Sequence, residues 1–406
     1  MDILPILSTL RRHKTAASLI VLEIALTSAI VCNALHLISQ RIDTLNHDSG
    51  LPESELVVIG VRGTGGNADP DELTTRDLTA IRQLPGVKSA TLVNQVIYGR
   101  NSNNTDVRRP ADKNSPRYSS SLYAVGEQGL DSMGLKLVAG RDFKPEEYQL
   151  GTEIDKQADP TVGQVIINRA LAEKLFPGES PLGQSIYGYT DNPSVVVGVV
   201  ERLTHPYPGK SRHDNEGFSM LLPLRGTFRG GDYLVRTEPA QRDAVMKAAT
   251  AVIERNDPSR IVTNTKTLTD MHASYYAQDR AMVWLMGGVI VALMVVTAFG
   301  IVGLASFWVQ QRTRMIGTRR AMGATKGQIL RYFQLENFLL STVGIAIGMA
   351  GAFGLSLVLM ASYEMPRLPL LYLPIGALAL WALGQIAVLA PARRAAALPP
   401  VAALRS

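Results

Sequence analysis

The sequence predicts a membrane protein with four transmembrane helices and an extracytoplasmic α+β domain of two subdomains between spans 1 and 2. Three observations predict it. Apolar residues make up 46% of the 406 positions and are concentrated near the start and in the last 130 residues. They form blocks longer than the roughly 18 residues that separate a spanning helix from a buried one. Positive charge follows the same division: the short segments 1–14, 310–332 and 391–406 together hold twelve Lys/Arg against one acid, Asp2. Arg41 to Asp279 instead holds 27 Lys/Arg against 31 acids, so the short basic segments are cytoplasmic and the long one is not. The single cysteine, Cys32, lies inside the first apolar block. No intrachain disulfide can staple the large domain, which must be held by its own core.

The elements follow in order. Residues 1–14 place Ile3, Ile6, Leu7 and Leu10 at helix-face spacing ahead of a basic cluster, the pattern of an amphipathic cytoplasmic lead-in on the membrane. Residues 15–40 form the first span, too long for a signal-peptide core and followed by no small-x-small cleavage site. Residues 41–267 read as the soluble domain. Glu55 to Arg62, Val87 to Tyr98, Gly163 to Asn168, Ser194 to Glu201, Asp232 to Thr237 and Ile261 to Thr265 are its strands. Helices are expected after Thr74, where Thr74 and Asp77 resemble a capping box, at Arg169 to Phe176, and at Ala240 to Asn256. Asn101 to Ser121 and Thr204 to Glu216 are polar and read as loops.

From Leu268 no break signal appears, and Ala281 to Val309 is a run of 29 uncharged residues. As a helix it is about 43 Å long against about 30 Å of hydrocarbon. One continuous helix over 268–309 is therefore expected, a stalk joined to the second span. Residues 310–332 are a basic segment suited to docking, 333–360 and 370–390 the third and fourth spans, and 391–406 a cytoplasmic tail. An even number of spans leaves both termini in the cytoplasm.

Nucleic-acid binding is excluded by where the charge falls. The chain contains no G-x-x-x-x-G-K-[ST] phosphate loop, no H-E-x-x-H, no paired-cysteine spacing and no nucleophile-elbow context. No catalytic residue, metal site or bound cofactor is therefore expected. His205, His213 and Asp214 share a loop that reads as solvated rather than metal-binding.

The run QQRTRMIGTRRAMGATKGQILRYFQLENFLLSTVGIAIGMAGA resembles the FtsX-like permease signature. GLKLVAGRDF, VIINRALAEKLFPGESPLGQSI and VVVGVVE resemble the periplasmic core domain of MacB-like permeases, and PARRAAALPPVAALR resembles the tail of the same family. The resemblance implies a non-catalytic permease subunit of an ABC transporter in the bacterial inner membrane, partnered by ABC ATPase subunits that carry the ATP and Mg. It implies mechanotransmission, in which ATP-driven closure moves the periplasmic domain, for export with a periplasmic adaptor and an outer-membrane channel. A regulatory transducer and a lipoprotein-extraction permease share the architecture and are the alternatives.

By this resemblance Arg314, Met315, Ile316, Gly317, Arg319, Arg320, Ala321, Met322, Gly323 and Ala324 form the ATPase-coupling site. Met315 stands where the signature usually has a glutamate, which points to pairing with a second, non-identical permease rather than a homodimer. Gly344, Gly348 and Gly351 fall on one helical face and permit close helix packing. That packing is either within the chain or against the partner permease. Glu23 is a carboxylate inside the first span, where an unpaired acid is costly. It reads as protonated or facing a hydrated groove near the cytoplasmic third. Glu336 reads as a structural acid tolerated at the N-terminus of the third spanning helix.

Overall fold

The computed structural model of the protein describes residues 14–63, 69–109, 115–154, 156–209, 217–363 and 369–397. The amphipathic lead-in, the turn between the last two spans, most of the tail, His213 and Asp214 lie outside the described residues. The chain divides into two compact units, one of Asn46–Ala277 and one of Met1–Leu45 with Gln278–Ser406.

The chain enters through helix α1 (Lys14–Leu45), 32 residues long. The Asn46–Ala277 unit follows, and its strands sort into two main sheets. The first sheet contains β1 (Leu56–Gly63), followed by α2 (Pro70–Arg82) and β2 (Val87–Val93). The chain then leaves to build the second sheet. That excursion runs through β3 (Asn104–Val107), β4 (Tyr118–Ala124), α3 (Gly129–Met133), β5 (Leu137–Gly140), β6 (Gln149–Leu150) and α4 (Gly151–Ile154). It continues through β7 (Gln164–Asn168), α5 (Arg169–Leu175), β8 (Ser185–Ile186), β9 (Ser194–Val200), β10 (Ser219–Leu222) and β11 (Leu224–Arg225). The first sheet is completed on return by β12 (Asp232–Thr237), α6 (Arg242–Asn256) and β13 (Arg260–Thr267).

The first sheet has the order β13-β1-β12-β2, antiparallel throughout. With a helix after β1 and another after β12, this is a split βαβ pair of ferredoxin-like topology, into which the second subdomain is inserted. The expectation of two α+β subdomains is met, and the structure shows the first of them to be discontinuous. Val57, Ile59, Leu78, Ile81, Tyr233, Val245 and Ile253 form its buried core between sheet and helices. The second sheet has the order β3-β4-β10-β7-β9-β5 with β8 on β9, and is mixed: β4 and β10 run parallel, as do β7 and β9. Its core is built on Val165, Ile167, Val196, Leu222 and the α5 residues Leu171 and Leu175.

Two local expectations change. Asp69, not Thr74, caps α2, accepting from the Asp71 amide, and Pro70 takes the first helical position. Asp77 is instead a buried acid: the Arg260 guanidinium donates to both its oxygens at 2.5 and 3.0 Å. The Tyr233 hydroxyl and the Asn256 carboxamide add bonds of 2.6 and 2.8 Å to the same carboxylate. A capping-box spacing cannot distinguish a cap from an acid with a partner 183 residues away. The segment read as a loop from Asn101 to Ser121 also contains β3, paired antiparallel with β4.

The stalk is not one helix. α7 (Leu268–Tyr275) is capped by the Thr267 side chain and ends at Tyr276, after which α8 (Ala277–Gln311) begins. Tyr276 is fully buried, with its ring 4.9 Å from His272 and 5.8 Å from Tyr98. The His272 ring itself meets the Glu53 carboxylate at 2.6 Å, and Glu53 also accepts from Tyr98 and Ser49. Burying Tyr276 in this nest takes its backbone out of helical geometry, an effect invisible to hydropathy and to Pro/Gly signals.

After α8 come α9 (Thr313–Ala321), α10 (Lys326–Tyr363) and α11 (Tyr372–Ala397). Among the described residues, α1, α8, α10 and α11 are the four helices long and apolar enough to cross a membrane. Their shared interior includes Ile20, Ile24, Ile301, Trp308, Leu340, Leu380 and Val388.

Candidate functional site

The candidate site is the basic turn between α8 and α10. Its two ends are built by local sequence. Gly323, at φ +97, closes α9 with the Ala324 amide on the Arg319 carbonyl (3.0 Å) and its own amide on the Arg320 carbonyl (3.1 Å). This is the Schellman arrangement, which glycine adopts without a Cβ penalty. Two residues on, the Gln328 amide bonds the Thr325 hydroxyl and the Thr325 amide bonds the Gln328 side chain, a reciprocal capping box that starts α10. The T-x-x-Q spacing of that box was available in the sequence and was missed.

The arginines of the segment divide by direction. Arg312, the one residue between α8 and α9, is buried over the Trp308 ring at 5.3 Å. Its Nη1 donates to both Glu336 oxygens at 2.9 and 2.8 Å. Glu336 is itself 1% exposed and sits eleven residues into the 38-residue α10. It is therefore not the helix-terminal acid expected, but half of an ion pair across the turn. Arg319 lies over the Tyr332 ring at 5.0 Å, and Arg320 donates to the Ala396 carbonyl of α11 at 2.9 Å. Ile316 and Gly317 are buried on the same side of α9, and Met315 is half-buried.

The opposite face is exposed and carries Arg314, Thr318, Ala321 and Met322, spaced i, i+4, i+7 and i+8. Met322 is 77% exposed, at the tip beside Gly323. Of the ten expected coupling residues, Ile316, Gly317, Arg319 and Arg320 hold the helix to its own chain, Arg314, Ala321, Met322 and Gly323 are exposed, and Met315 and Ala324 are half-buried. Arg312, Trp308, Glu336, Thr325 and Gln328 complete the support and were not among them.

The membrane-packing glycines also divide. A Cβ at Gly344 would come within 2.9 Å of the Ile24 side chain, and one at Gly348 within 2.6 Å of Ser28 Cβ, so both are spent on close contact with α1. Among the described residues nothing lies within 4 Å of where a Gly351 Cβ would be. Glu23 of α1 lies with its carboxylate directly against Gly300 of α8, leaving no room for a side chain there. One turn away, the Thr27 and Thr297 hydroxyls bond at 2.9 Å. Farther along the same two helices, Arg41 meets Asp279 at 2.5 Å. Among the described residues no group of three His, Cys, Asp or Glu could hold a metal ion.

Comparison with known proteins accounts for both units. Residues 15–252, over half of the chain, match the family described as MacB-like periplasmic core domain, and residues 287–400 match the FtsX-like permease C-terminal family. The ABC transporter permease YknZ of Bacillus subtilis is 23% identical over 334 residues, covering 82% of this chain and 79% of that protein. The macrolide export ATP-binding/permease protein MacB of Chromobacterium violaceum is 27% identical over 292 residues, covering 70% of this chain and 43% of that one. The chain therefore spans under half the length of this MacB relative. The crystal structure of the YknZ extracellular domain aligns with 51% of the chain and all of that domain, at 19% identity and a TM-score of 0.32. The chain belongs to the ABC transporter permeases of the MacB and YknZ type, with a MacB-like periplasmic core domain between its first two spans and an FtsX-like permease region at its C-terminal end.

Proposed function

We propose that this chain is the mechanotransmitting permease subunit of an ATP-driven exporter in a bacterial inner membrane, with both termini in the cytoplasm. ATP and Mg are bound and hydrolysed by separate ABC ATPase subunits, which dock on α9, and the resulting movement reaches the periplasmic core domain. A second permease, non-identical by the Met315 argument, completes the membrane part. A periplasmic adaptor and an outer-membrane channel carry the substrate onward.

The observation that carries this reading is the outward stripe of Arg314, Thr318, Ala321 and Met322 on a helix whose other face is anchored by Arg312, Arg319 and Arg320. An exposed methionine beside a cation, on a support that cannot give way, suits a protein surface with an apolar pocket and an acidic rim. The test is purification of the intact complex with identification of every chain. An ABC ATPase is expected in the wild-type complex and is lost with Met322→Glu, while Gly351→Ala keeps it. Recovery of the ATPase with Met322→Glu at the wild-type ratio rejects the docking surface. Recovery of a hydrolase in place of adaptor and channel replaces export by signal transduction.

A further inference from the structure

We propose that the cleft between α10 and α11 is a binding site for an anionic phospholipid, with Arg331 holding the headgroup phosphate. The cleft has a volume of about 330 Å³ and is lined by Arg331, Gln334, Leu335, Phe338 and Gln385. It is independent of the ATPase-docking face and does not rest on that assignment.

Three features support it. First, Arg331 is exposed and, among the described residues, has no acid and no acceptor. Arg312, Arg319 and Arg320 are by contrast already occupied by Glu336, the Tyr332 ring and the Ala396 carbonyl. Among the described residues the Gln334 carboxamide is also without a partner, leaving a neutral donor beside the guanidinium.

Second, the depth is right. Phe338 to Val358 is free of charged residues, and Arg331 precedes Phe338 by seven positions in the same helix. At the rise of an α-helix that is about 10 Å, which places the guanidinium at headgroup level and Phe338 at the edge of the hydrocarbon.

Third, the cleft is amphipathic in the matching sense. Phe338 stacks on Trp381 at 5.6 Å and 28°, and the Trp381 indole donates to Thr342 at 3.2 Å. With Trp381 central in the 370–390 span, this aromatic pair lies below the headgroup and borders the acyl chain. A basic cleft between spanning helices, open to lipid and walled by aromatic carbon, selects a phosphate that carries a hydrocarbon tail.

The test reconstitutes the full chain in phosphatidylcholine vesicles containing brominated phosphatidylglycerol or, at the same mole fraction, brominated phosphatidylcholine. Quenching of Trp381 is read as the difference between wild type and Trp381→Phe. Local enrichment of the anionic lipid by about fivefold is expected, the factor that about 1 kcal/mol per arginine near a charged surface corresponds to. Arg331→Gln abolishes the preference and Arg331→Lys retains it. Equal quenching by both lipids in wild type, or an unchanged preference in Arg331→Gln, overturns the proposal. Loss of the preference on adding soluble glycerol 3-phosphate also overturns it, by assigning the cleft to a free phosphate ester.

Discussion

Arg312 and Glu336 form an ion pair that is almost entirely closed to solvent, their side chains 7% and 1% exposed, and it ties the start of α9 to the third turn of α10. Removing one member leaves the other buried without its opposite charge, at a cost of up to about 3–5 kcal/mol. Glu336→Gln or Arg312→Met is therefore expected to lower the thermal midpoint of the detergent-solubilised chain sharply. The double variant Arg312→Met/Glu336→Leu regains most of it, because an apolar pair of similar volume carries no desolvation cost. A single variant as stable as wild type contradicts the pair.

The glycine faces separate cleanly. Gly348→Leu drives a side chain into Ser28 and the Ala25 carbonyl of α1, and is expected to cost about 1–3 kcal/mol or more as overpacking. Gly351→Leu meets open space and is expected to leave the stability of the isolated chain unchanged. The comparison is read from midpoint shifts and folded yield. If Gly351→Leu leaves the monomer stable but prevents recovery of a second permease, that position lies in the permease interface.

Asp77 lies at the centre of a buried network in the first subdomain, bonded to Arg260, Tyr233 and Asn256. Asp77→Asn removes the buried carboxylate nearest Arg260 and leaves it only the Asp257 carboxylate at 3.7 Å, and is expected to cost up to about 3–5 kcal/mol. Denaturant unfolding of the full chain, followed by near-ultraviolet dichroism, measures it. Thr75→Ala, on the exposed side of the same helix, is the control and is expected to shift the midpoint little.

Glu147 accepts two hydrogen bonds from the Arg141 guanidinium, at 2.8 and 2.6 Å, and one from the Lys144 amide. The Arg141 hydrogen bonds, ahead of the other contributions, hold its carboxyl below the usual carboxylate range. A depressed folded pKa contributes stability that is present above the unfolded value, about 4.3, and lost as the pH falls through the folded value. The stability difference between wild type and Glu147→Gln should accordingly shrink on acidification below that point. A difference that grows as the pH falls has the wrong sign for this pair.

Much of the architecture was legible without tertiary information. The candidate spans are sums over local windows, because twenty or more apolar residues in a row must be buried from water wherever the chain folds. For the same reason strand alternation and the Pro/Gly stops placed β1, β2, β7, β9, β12 and β13 and the helices α2, α5 and α6, while the other strands of the second subdomain went unread. The signature from Gln310 onward coincides with the basic turn after α8, whose Schellman glycine, Gly323, is a local requirement.

What only the tertiary structure decided is where each side chain points once distant segments arrive. Arg312, Arg319 and Arg320 look alike in a basic run, yet Glu336, Tyr332 and Ala396 turn all three inward and leave Arg314 and Met322 outside. Asp77 looked like a cap until β13 delivered Arg260, and the stalk looked unbroken until Tyr276 found its nest beside His272 and Tyr98. Gly344 and Gly348 found α1, and Gly351 has, among the described residues, open space where its Cβ would lie. The sequence determined which segments enter the membrane and which family they form, because hydropathy, charge and turn chemistry act within a few residues. Packing between segments decided which groups are spent on holding the fold and which remain free to meet a partner, because the energy of a buried contact depends on both of its sides.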